Sequence, residues 1–352
     1  MACGKNSPFQ GLLLSGMLAG LTVAVCANTT ACAAGAPGAL ERPVEFGLPV
    51  RCTVGRTCFV QQYFDHGTLA PKDYRCGSRV YAGHDGTDIR IPTLLDMQGG
   101  VPVVAAAAGV IRGVRDGMAD GQFLRDGQAS IAGHECGNGV TIAHGRGWET
   151  QYCHLRRGSV TVQAGQPVKA GAILGSVGES GAAAFAHLHF TARRNGTAVD
   201  PFAWNAPPGR CAPGQSLWSP QAAQDLDYHA TELINSGFST SAVSLNDIET
   251  GRTLAMVPDT NAPALVAFAR AIGLRAGDVQ ILELRTPTGD ILARSAHTPL
   301  EKDAAERMLV VGKRRSPSPW PAGRYSARYT IVRNDVTVVD RTFSADLGPP
   351  SP

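Results

Sequence analysis

The chain is poor in charged and aromatic residues. Charged residues make up 17% of its 352 positions, aromatic residues make up 6%, and the net charge is only +3. A balance this close to neutral gives no support for nucleic-acid binding, which needs concentrated positive charge. The 41 glycines, with so few aromatic residues, favour a turn-rich β protein. The length favours two domains.

A long uninterrupted apolar run is also missing. The most apolar stretch, residues 11–27, is broken by a serine and two glycines and is short for a membrane-spanning helix. Lys5 is the only charged residue before Glu41, and small residues surround Cys32. We therefore expect residues 1–33 to be an export signal, with no stable membrane span left after its removal.

Other interpretations of this first segment stay open. It could be a permanent membrane anchor, or the chain could be a lipoprotein cleaved before Cys26 or Cys32. The residues before both cysteines fit a lipoprotein signal poorly. The expected location is the periplasm or the extracellular space.

The cysteines lack the C-x-x-C spacing of a cysteine zinc site. Removal of residues 1–33 leaves six of the nine cysteines, and an even count in an exported chain predicts three disulfides. A bridge between Cys52 and Cys58 would close a short hairpin, and Cys136 and Cys153 flank two strands that are expected to pair. Cys76 and Cys211 are then left as the third pair by elimination.

Two short motifs carry most of the chemical information. One is H-x-G-x-D at His84 to Asp88, and the other is H-x-H at His187 to His189. Together they supply a carboxylate and three histidines, one residue more than a three-ligand catalytic zinc site needs. Such a zinc lowers the pKa of a bound water from about 15.7 to about 7. The motifs therefore predict a hydrolase with one zinc per chain.

The local geometry of both motifs fits such a site. Leu188 and Phe190 alternate with His187 and His189, as in a strand that buries one face. Both histidines should then point into a cleft. Gly86 in the first motif argues against a helix and for a turn that passes close to the metal.

Each motif alone is a weak signal, because surface strands carry H-x-H pairs by chance. Their joint appearance beside glycines and apolar strand residues favours the metal site. A third element is the predicted strand Gln151–Leu155, which places Tyr152 and His154 on one face and follows a hairpin neighbour, Gly139–His144. Taken alone, His154 fits a satisfied polar residue better than a catalyst.

In combination the chain resembles the lysostaphin and LytM type of zinc metallopeptidase, family M23, whose members cleave peptide bonds of bacterial cell walls. The resemblance covers roughly residues 75–205. The matching features are H-x-G-x-D at His84 to Asp88, Y-x-H-L at Tyr152 to Leu155, H-L-H at His187 to His189, the glycine-bounded segment Gly165 to Gly175, and Val199 to Phe202.

The resemblance implies a role for each site residue. His84, Asp88 and His189 resemble the zinc ligands. His187 resembles the residue that activates or stabilises the attacking water, and His154 resembles the second catalytic histidine, which helps to hold the developing oxyanion. All five are present, which argues against the fate of relatives that have lost their ligands and only activate amidases. The implied activity is hydrolysis of peptidoglycan peptides.

The expected fold is mainly β: an antiparallel LytM-type peptidase domain followed by an immunoglobulin-like β-sandwich. Residues 40–215 are the expected peptidase domain with a disulfide-bearing extension, and they should hold a complete site. Residues 216–241 are the expected connector and 242–350 the sandwich. His229 and His297 are single, so surface positions are expected for them. The sandwich is expected to position the enzyme or bind a protein partner.

Two other functions stay open. One is a non-catalytic regulator of the same fold that binds cell wall or an amidase. The intact set of ligands argues against it. The other is a general secreted metalloprotease that acts on proteins.

Overall fold

The computed structural model describes residues 43–207, 214–256 and 258–349. Within these ranges the chain is mostly β, with antiparallel sheets and a few short helices, as the sequence predicts. The expected export signal, residues 1–33, lies outside the described residues. From Pro43 onward the chain forms one compact unit.

The strands are numbered in chain order. They are β1 (Phe59–Gln62), β2 (Thr87–Arg90), β3 (Pro102–Val104), β4 (Gly109–Arg115), β5 (Asn138–Gly145), β6 (Trp148–Leu155), β7 (Pro167–Val168), β8 (Ile173–Ser176), β9 (His187–Arg194), β10 (Thr197–Val199), β11 (Glu232–Ser239), β12 (Ala264–Leu274), β13 (Val279–Arg285), β14 (Ile291–Ala296), β15 (Ala304–Arg314), β16 (Gly323–Arg333) and β17 (Val336–Leu347).

The helices are short. They are α1 (Leu94–Gly99), α2 (Gln122–Asp126), α3 (Pro220–Asp225) and α4 (Leu245–Glu249), with 3-10 turns at Gln128–Ile131 and Arg252–Ala255. Among the described residues, no helix has the length and apolar character needed to cross a bilayer.

An antiparallel sheet of eight strands occupies the region that contains the motifs. Its order is β1-β2-β9-β6-β5-β4-β7, with β10 beside β9. The hairpin predicted from residues 139–155 is present as β5 and β6. A separate ribbon pairs β3 with β8. Strands that are distant in the sequence therefore become neighbours in space.

The pairing of β2 with β9 sets the two motifs side by side. Asp88 lies opposite His189, and Ile89 lies opposite Leu188. Ile89 and Leu188 are fully buried in the core. The residues on either side of them therefore point to the other face of the sheet. His187 shares that face with His189, as the alternation in the sequence predicts.

An aromatic cluster closes the core beneath this sheet. Phe46, which precedes β1, makes edge contacts with the rings of Phe190 and Trp218. Trp218 also contacts Phe202, and its backbone bridges to that of Phe46. This first core extends along the chain as far as Leu226. Segments from both ends of the region are thus needed to bury it.

Two further antiparallel sheets, the C-terminal sheets, follow. One has the order β11-β12-β15 and the other has the order β14-β13-β16-β17. Side chains from both enclose a second apolar core, which includes Leu265 of β12 and Tyr325 and Tyr329 of β16. Two sheets that share one core form the layered arrangement of a β-sandwich.

The predicted connector, residues 216–241, differs from the structure. It contains one short helix, α3, whose first turn is capped by the Ser219 side chain. Residues 232–239 instead form β11, with Ile234 and Phe238 buried. Ile234 and Phe238 are four residues apart, a spacing that fits one face of a strand, although the sequence predicts no strand here. The C-terminal sheets therefore begin at residue 232 and not at 242.

Residues beyond 215, the predicted end of the first domain, also contribute to the first core. Trp218, Ala222 and Leu226 belong to the first core, and Tyr228 packs against it. A chain that ends at residue 215 loses all four side chains. Residues 217–228 therefore help to bury the first core, while all five candidate site residues lie within the predicted range 40–215.

The predicted disulfides fall into two groups. Cys76 is disulfide-bonded, and Cys211, its predicted partner, lies outside the described residues. The other two predicted bridges are confirmed: Cys52–Cys58 and Cys136–Cys153.

Replacement of Trp218 by alanine should destabilise the fold by about 3–5 kcal/mol, because a large buried ring leaves a cavity beneath the sheet. Urea unfolding of the full chain measures this change. Leu124→Ala is the control, since that side chain is 59% exposed and its loss should shift the free energy of unfolding by no more than about 0.5 kcal/mol. Equal effects of both changes would contradict the described core.

The Cys136–Cys153 bridge should stabilise the protein by roughly 2–4 kcal/mol. Alkylation of the untreated protein followed by mass spectrometry should detect no free thiol at either position. The double variant Cys136→Ser/Cys153→Ser should unfold at a lower urea concentration than its parent. Free thiols in the parent, or an unchanged midpoint in the variant, would refute the bridge.

Candidate active site

Three side chains converge where the motifs meet. His84 lies in the turn before β2, Asp88 lies in β2, and His189 lies in β9. The His84 Nε2 atom is 3.1 Å from Asp88 Oδ1 and 3.1 Å from His189 Nδ1, and the last two atoms are 2.9 Å apart. Three donor atoms thus form a nearly equilateral triangle. Among the described residues, these three side chains form a group whose ligand atoms lie close enough together to hold one metal ion.

The triangle fits a tetrahedral zinc ion. Ligands about 2.0–2.1 Å from such an ion lie about 3.3–3.4 Å apart, close to the distances observed here. Zinc also prefers this donor set of two imidazoles and one carboxylate. The residues present therefore fit the metal that the motifs predict.

Hydrogen bonds orient the ligand atoms of both imidazoles. The Nδ1–H of His84 donates to the Tyr63 carbonyl at 2.6 Å, which leaves Nε2 free toward the cluster. The Nε2 of His189 lies 2.9 Å from Thr191 Oγ1 and 3.2 Å from Asp85 Oδ1, which leaves Nδ1 free. Such outer partners fix the tautomer of a metal-binding histidine.

Gly86 explains how the turn approaches the strand so closely. A Cβ atom at this position would lie 2.6 Å from the Phe190 carbonyl oxygen and 2.7 Å from His189 Nε2. Any side chain here would push the turn away from β9. The glycine is therefore required by the close approach, as the sequence predicts.

Electrostatics favour a charged cluster. Burial on its own raises the pKa of the Asp88 carboxyl, but the neighbouring His187 and His84 hold it well below its usual range. Burial lowers the pKa of His189, and hydrogen bonds with Asp85 and Asp88 outweigh it and raise that pKa to about 9. The Asp88 carboxylate is therefore ionised, and imidazole nitrogens of His84, His187 and His189 lie close to it.

Two more histidines flank the triangle. His187 has its Nε2 atom 3.6 Å from Asp88 Oδ1, and its Nδ1–H donates to the Phe185 carbonyl at 2.8 Å. The His154 ring centre lies 4.6 Å from that of His187 and 5.9 Å from that of His189. Burial is the largest influence on both His187 and His154 and lowers their pKa values. All five residues singled out from the sequence thus meet in one place.

His154 is held in an unusual backbone conformation. Its φ angle is +63°, in the left-handed region that non-glycine residues rarely adopt. Its N–H donates to the Cys136 carbonyl at 2.8 Å, and its Nδ1–H donates to the Ser180 carbonyl at 2.7 Å. The disulfide between Cys136 and Cys153 ties the accepting carbonyl to the preceding residue. The strained geometry is therefore fixed from two sides.

A cavity of about 270 Å³ opens beside these side chains. Polar groups dominate its walls, and the disulfide forms part of one side. Its lining residues are Tyr81, Asp85, Glu135, Cys136, Gln151, Cys153, His154, Ala182, His189, Thr191 and Arg193.

Sequence reasoning missed the groups that orient the site. Tyr63 and Ser180 act through backbone carbonyls, which no side-chain pattern reveals. Asp85 lies inside the first motif and could have been found there. The Asp85 carboxylate accepts a hydrogen bond from Arg193 at 3.3 Å, and the Arg193 guanidinium also donates to the Gln151 side chain at 2.7 Å. His229 and His297 are exposed, as predicted.

Comparison with known proteins identifies the family of this region. Residues 82–201 match the model described as Peptidase family M23. The match contains His84, Asp88, His154, His187 and His189. The chain therefore carries an M23 peptidase segment, and the resemblance predicted from the motifs is confirmed.

Curated relatives cover the same segment. The chain is 36% identical over 120 residues to DD-carboxypeptidase/endopeptidase Mpg of Neisseria meningitidis, which is 34% of this chain and 22% of that protein. It is 33% identical over 120 residues to cell division protein DipM of Caulobacter vibrioides, which is 33% of this chain and 15% of that protein. The chain thus spans less than a quarter of either relative.

Solved structures include the catalytic domain of the antimicrobial peptidase lysostaphin from Staphylococcus simulans. That domain is 24% identical, and the alignment covers 40% of this chain and 85% of the domain with a TM-score of 0.26. The catalytic domain of the M23 protein EnpA from Enterococcus faecalis is 22% identical. The alignment covers 47% of this chain and 98% of that domain, with a TM-score of 0.30.

The purified chain should bind one zinc ion at His84, Asp88 and His189. His189→Ala should lose most of this zinc, because two remaining ligands make a poor site. Zinc per chain, measured by plasma mass spectrometry after dialysis, tests this expectation.

The exposed His297 supplies the control. His297→Ala removes an imidazole from the same chain and should keep parental zinc. A His189→Ala protein with full occupancy would show that the ligand assignment is wrong.

Proposed function

We propose that this protein is an exported zinc metallo-endopeptidase that hydrolyses peptide cross-links of bacterial peptidoglycan by zinc-activated water. The observation that carries the proposal is the triangle of His84, Asp88 and His189 ligand atoms with His187 and His154 beside it. A metal site held only for structure has no need of two further buried histidines. When bound, zinc would polarise the scissile carbonyl and acidify a water molecule.

His187 is suited to the role of proton acceptor. Its Nδ1–H is committed to the Phe185 carbonyl, so its Nε2 lone pair faces the ligand cluster. A neutral imidazole in this orientation can take a proton from the attacking water and later deliver it to the leaving amine. Burial lowers the pKa of His187, which keeps its imidazole neutral and ready to accept that proton.

His154 has a more restricted chemistry. Its Nδ1–H is committed to the Ser180 carbonyl, so Nε2 carries a lone pair in the neutral ring. It can therefore donate a hydrogen bond to a developing oxyanion only after it has taken up a proton. We infer that His154 shares the proton of the cycle with His187, whose ring centre lies 4.6 Å away.

The substrate class is supported by the family match and by the activity for which one relative is named. Residues 82–201 match an M23 peptidase, and the Neisseria relative is named a DD-carboxypeptidase/endopeptidase. The polar cavity offers Arg193, Gln151 and Glu135 to the amides and carboxylates of a peptide. Export is supported by the Cys52–Cys58 and Cys136–Cys153 bridges, since disulfides persist in oxidising compartments.

Digestion of purified sacculi tests the proposal directly. The parent protein should release soluble muropeptides, whose masses identify the bond that is cut. His187→Ala and His154→Ala should retain zinc, and their hydrolysis should fall by about 10²–10⁴ because each loses proton-transfer help. His297→Ala should match the parent in both assays.

Each other outcome has a distinct meaning. A zinc-loaded parent that releases nothing would favour the non-catalytic regulator, a role consistent with the relative named as a cell division protein. Comparable cleavage of casein would favour a general metalloprotease. A parental rate in either histidine variant would refute the role given to that residue.

A further inference from the structure

Arg90 is a fully buried charged residue in the strand that carries Asp88. It ranks among the largest side chains with no exposed surface. In β2 it lies two residues after Asp88 and opposite His187 of β9. Residues two apart in a strand share a face, so its side chain leaves the sheet on the face of the metal cluster. The function proposed above gives Arg90 no role.

The C-terminal sheets supply the charges that hold Arg90. Its Nη1 lies 2.8 Å from Glu306 Oε2 of β15, and its Nη2 lies 3.3 Å from Glu249 Oε2 at the end of α4. Arg270 of β12 pairs with both glutamates. The Gln61 side chain accepts a further hydrogen bond from Arg90 at 3.0 Å. Two arginines and two glutamates therefore balance in charge at the contact between the first core and the C-terminal sheets.

The same guanidinium reaches the site through Phe185. The Arg90 Cζ atom lies 4.6 Å from the centre of the Phe185 ring. That ring lies 4.6 Å from the His187 ring at an interplanar angle of 34°. The Phe185 carbonyl also accepts the Nδ1–H bond of His187. One residue thus supports His187 with its ring and its backbone.

We propose that Arg90 is a positioning residue for His187, fixed by Glu306 of β15 and Glu249 of α4 and acting through Phe185. This proposal rests on the proposed function, because it concerns the orientation of the proton acceptor. It assigns the C-terminal sheets a part in forming the site, beyond any contact with a partner.

Arg90 limits how far the Phe185 ring can move. A cation held against an aromatic face fixes the ring in position and in tilt. Phe185 is only partly buried, so it has freedom to move that the ion pairs remove. A displacement of His187 by about 1 Å can reduce a rate by roughly 100-fold. The alternative is that the charged cluster merely holds the C-terminal sheets in place.

Two variants distinguish positioning of His187 from a purely structural role of the ion pairs. Phe185→Leu removes the ring and leaves the ion pairs and the carbonyl, and Glu306→Gln removes one charge that anchors Arg90. Both should keep zinc and the parental KM, and both should lower kcat by roughly 10- to 100-fold. Because the two changes interrupt one chain of contacts, the double variant should lose less than the product of the single losses.

The chain offers matched controls for both changes. Phe185→Tyr keeps an aromatic ring at this position, so this variant should retain the parental kcat. Glu283 also pairs with two arginines of the C-terminal sheets, Arg285 and Arg294, yet these pairs do not contact Phe185. Glu283→Gln should therefore leave kcat unchanged.

A structural readout keeps the proposal separate from the proposed function. Imidazole nitrogen spectra of the purified protein should show a single Nδ1–H tautomer for His187 in the parent, and exchange broadening of that signal in both variants. If the parent lacks peptidase activity, the proposed function fails and these spectra alone decide whether Arg90 positions His187. Unchanged His187 spectra and an unchanged kcat in both variants would overturn the proposal.

Discussion

The antiparallel pairing of β2 with β9 is the constraint on which the site depends. It sets Asp88 opposite His189 and Arg90 opposite His187, while Ile89 and Leu188 fill the core on the other face. A slip of one residue in either strand would turn Asp88 or His189 toward the core and the apolar side chains of that strand toward the cleft. The burial of the apolar face therefore enforces the register that brings the ligand atoms together.

Buried charge sets a second condition, because the negative charges that pair with Arg90 come from outside its own sheet. The glutamates that neutralise it come from α4 and β15. Removal of one partner from a buried ion pair is costly, since the remaining charge cannot be hydrated. The C-terminal sheets and α4 are thus linked energetically to the strand that carries Asp88, a candidate metal ligand. The two apolar cores are separate clusters. The ion pairs of Arg90 nevertheless join the strand beside the candidate site to the C-terminal sheets and α4.

Local patterns made much of the site predictable. Alternation around His187 and His189 indicated their common face, and the glycine in H-x-G-x-D indicated a close turn. Backbone acceptors such as the Ser180 carbonyl, and the role of Arg90, were not predictable, because they depend on contacts between distant segments. The boundary near β11 was missed for a different reason. Apolar residues four apart, Ile234 and Phe238, fit a helix and a strand equally well.

The sequence separation of the ligands has a consequence for maturation. His84 and His189 are 105 residues apart, and Arg90 and Glu306 are 216 apart. Loop closure over such distances comes late in folding. A nascent chain therefore holds these donor side chains far apart. For the proposed zinc enzyme, metal loading would then be a last step, set by the metal supply of the compartment in which the chain folds.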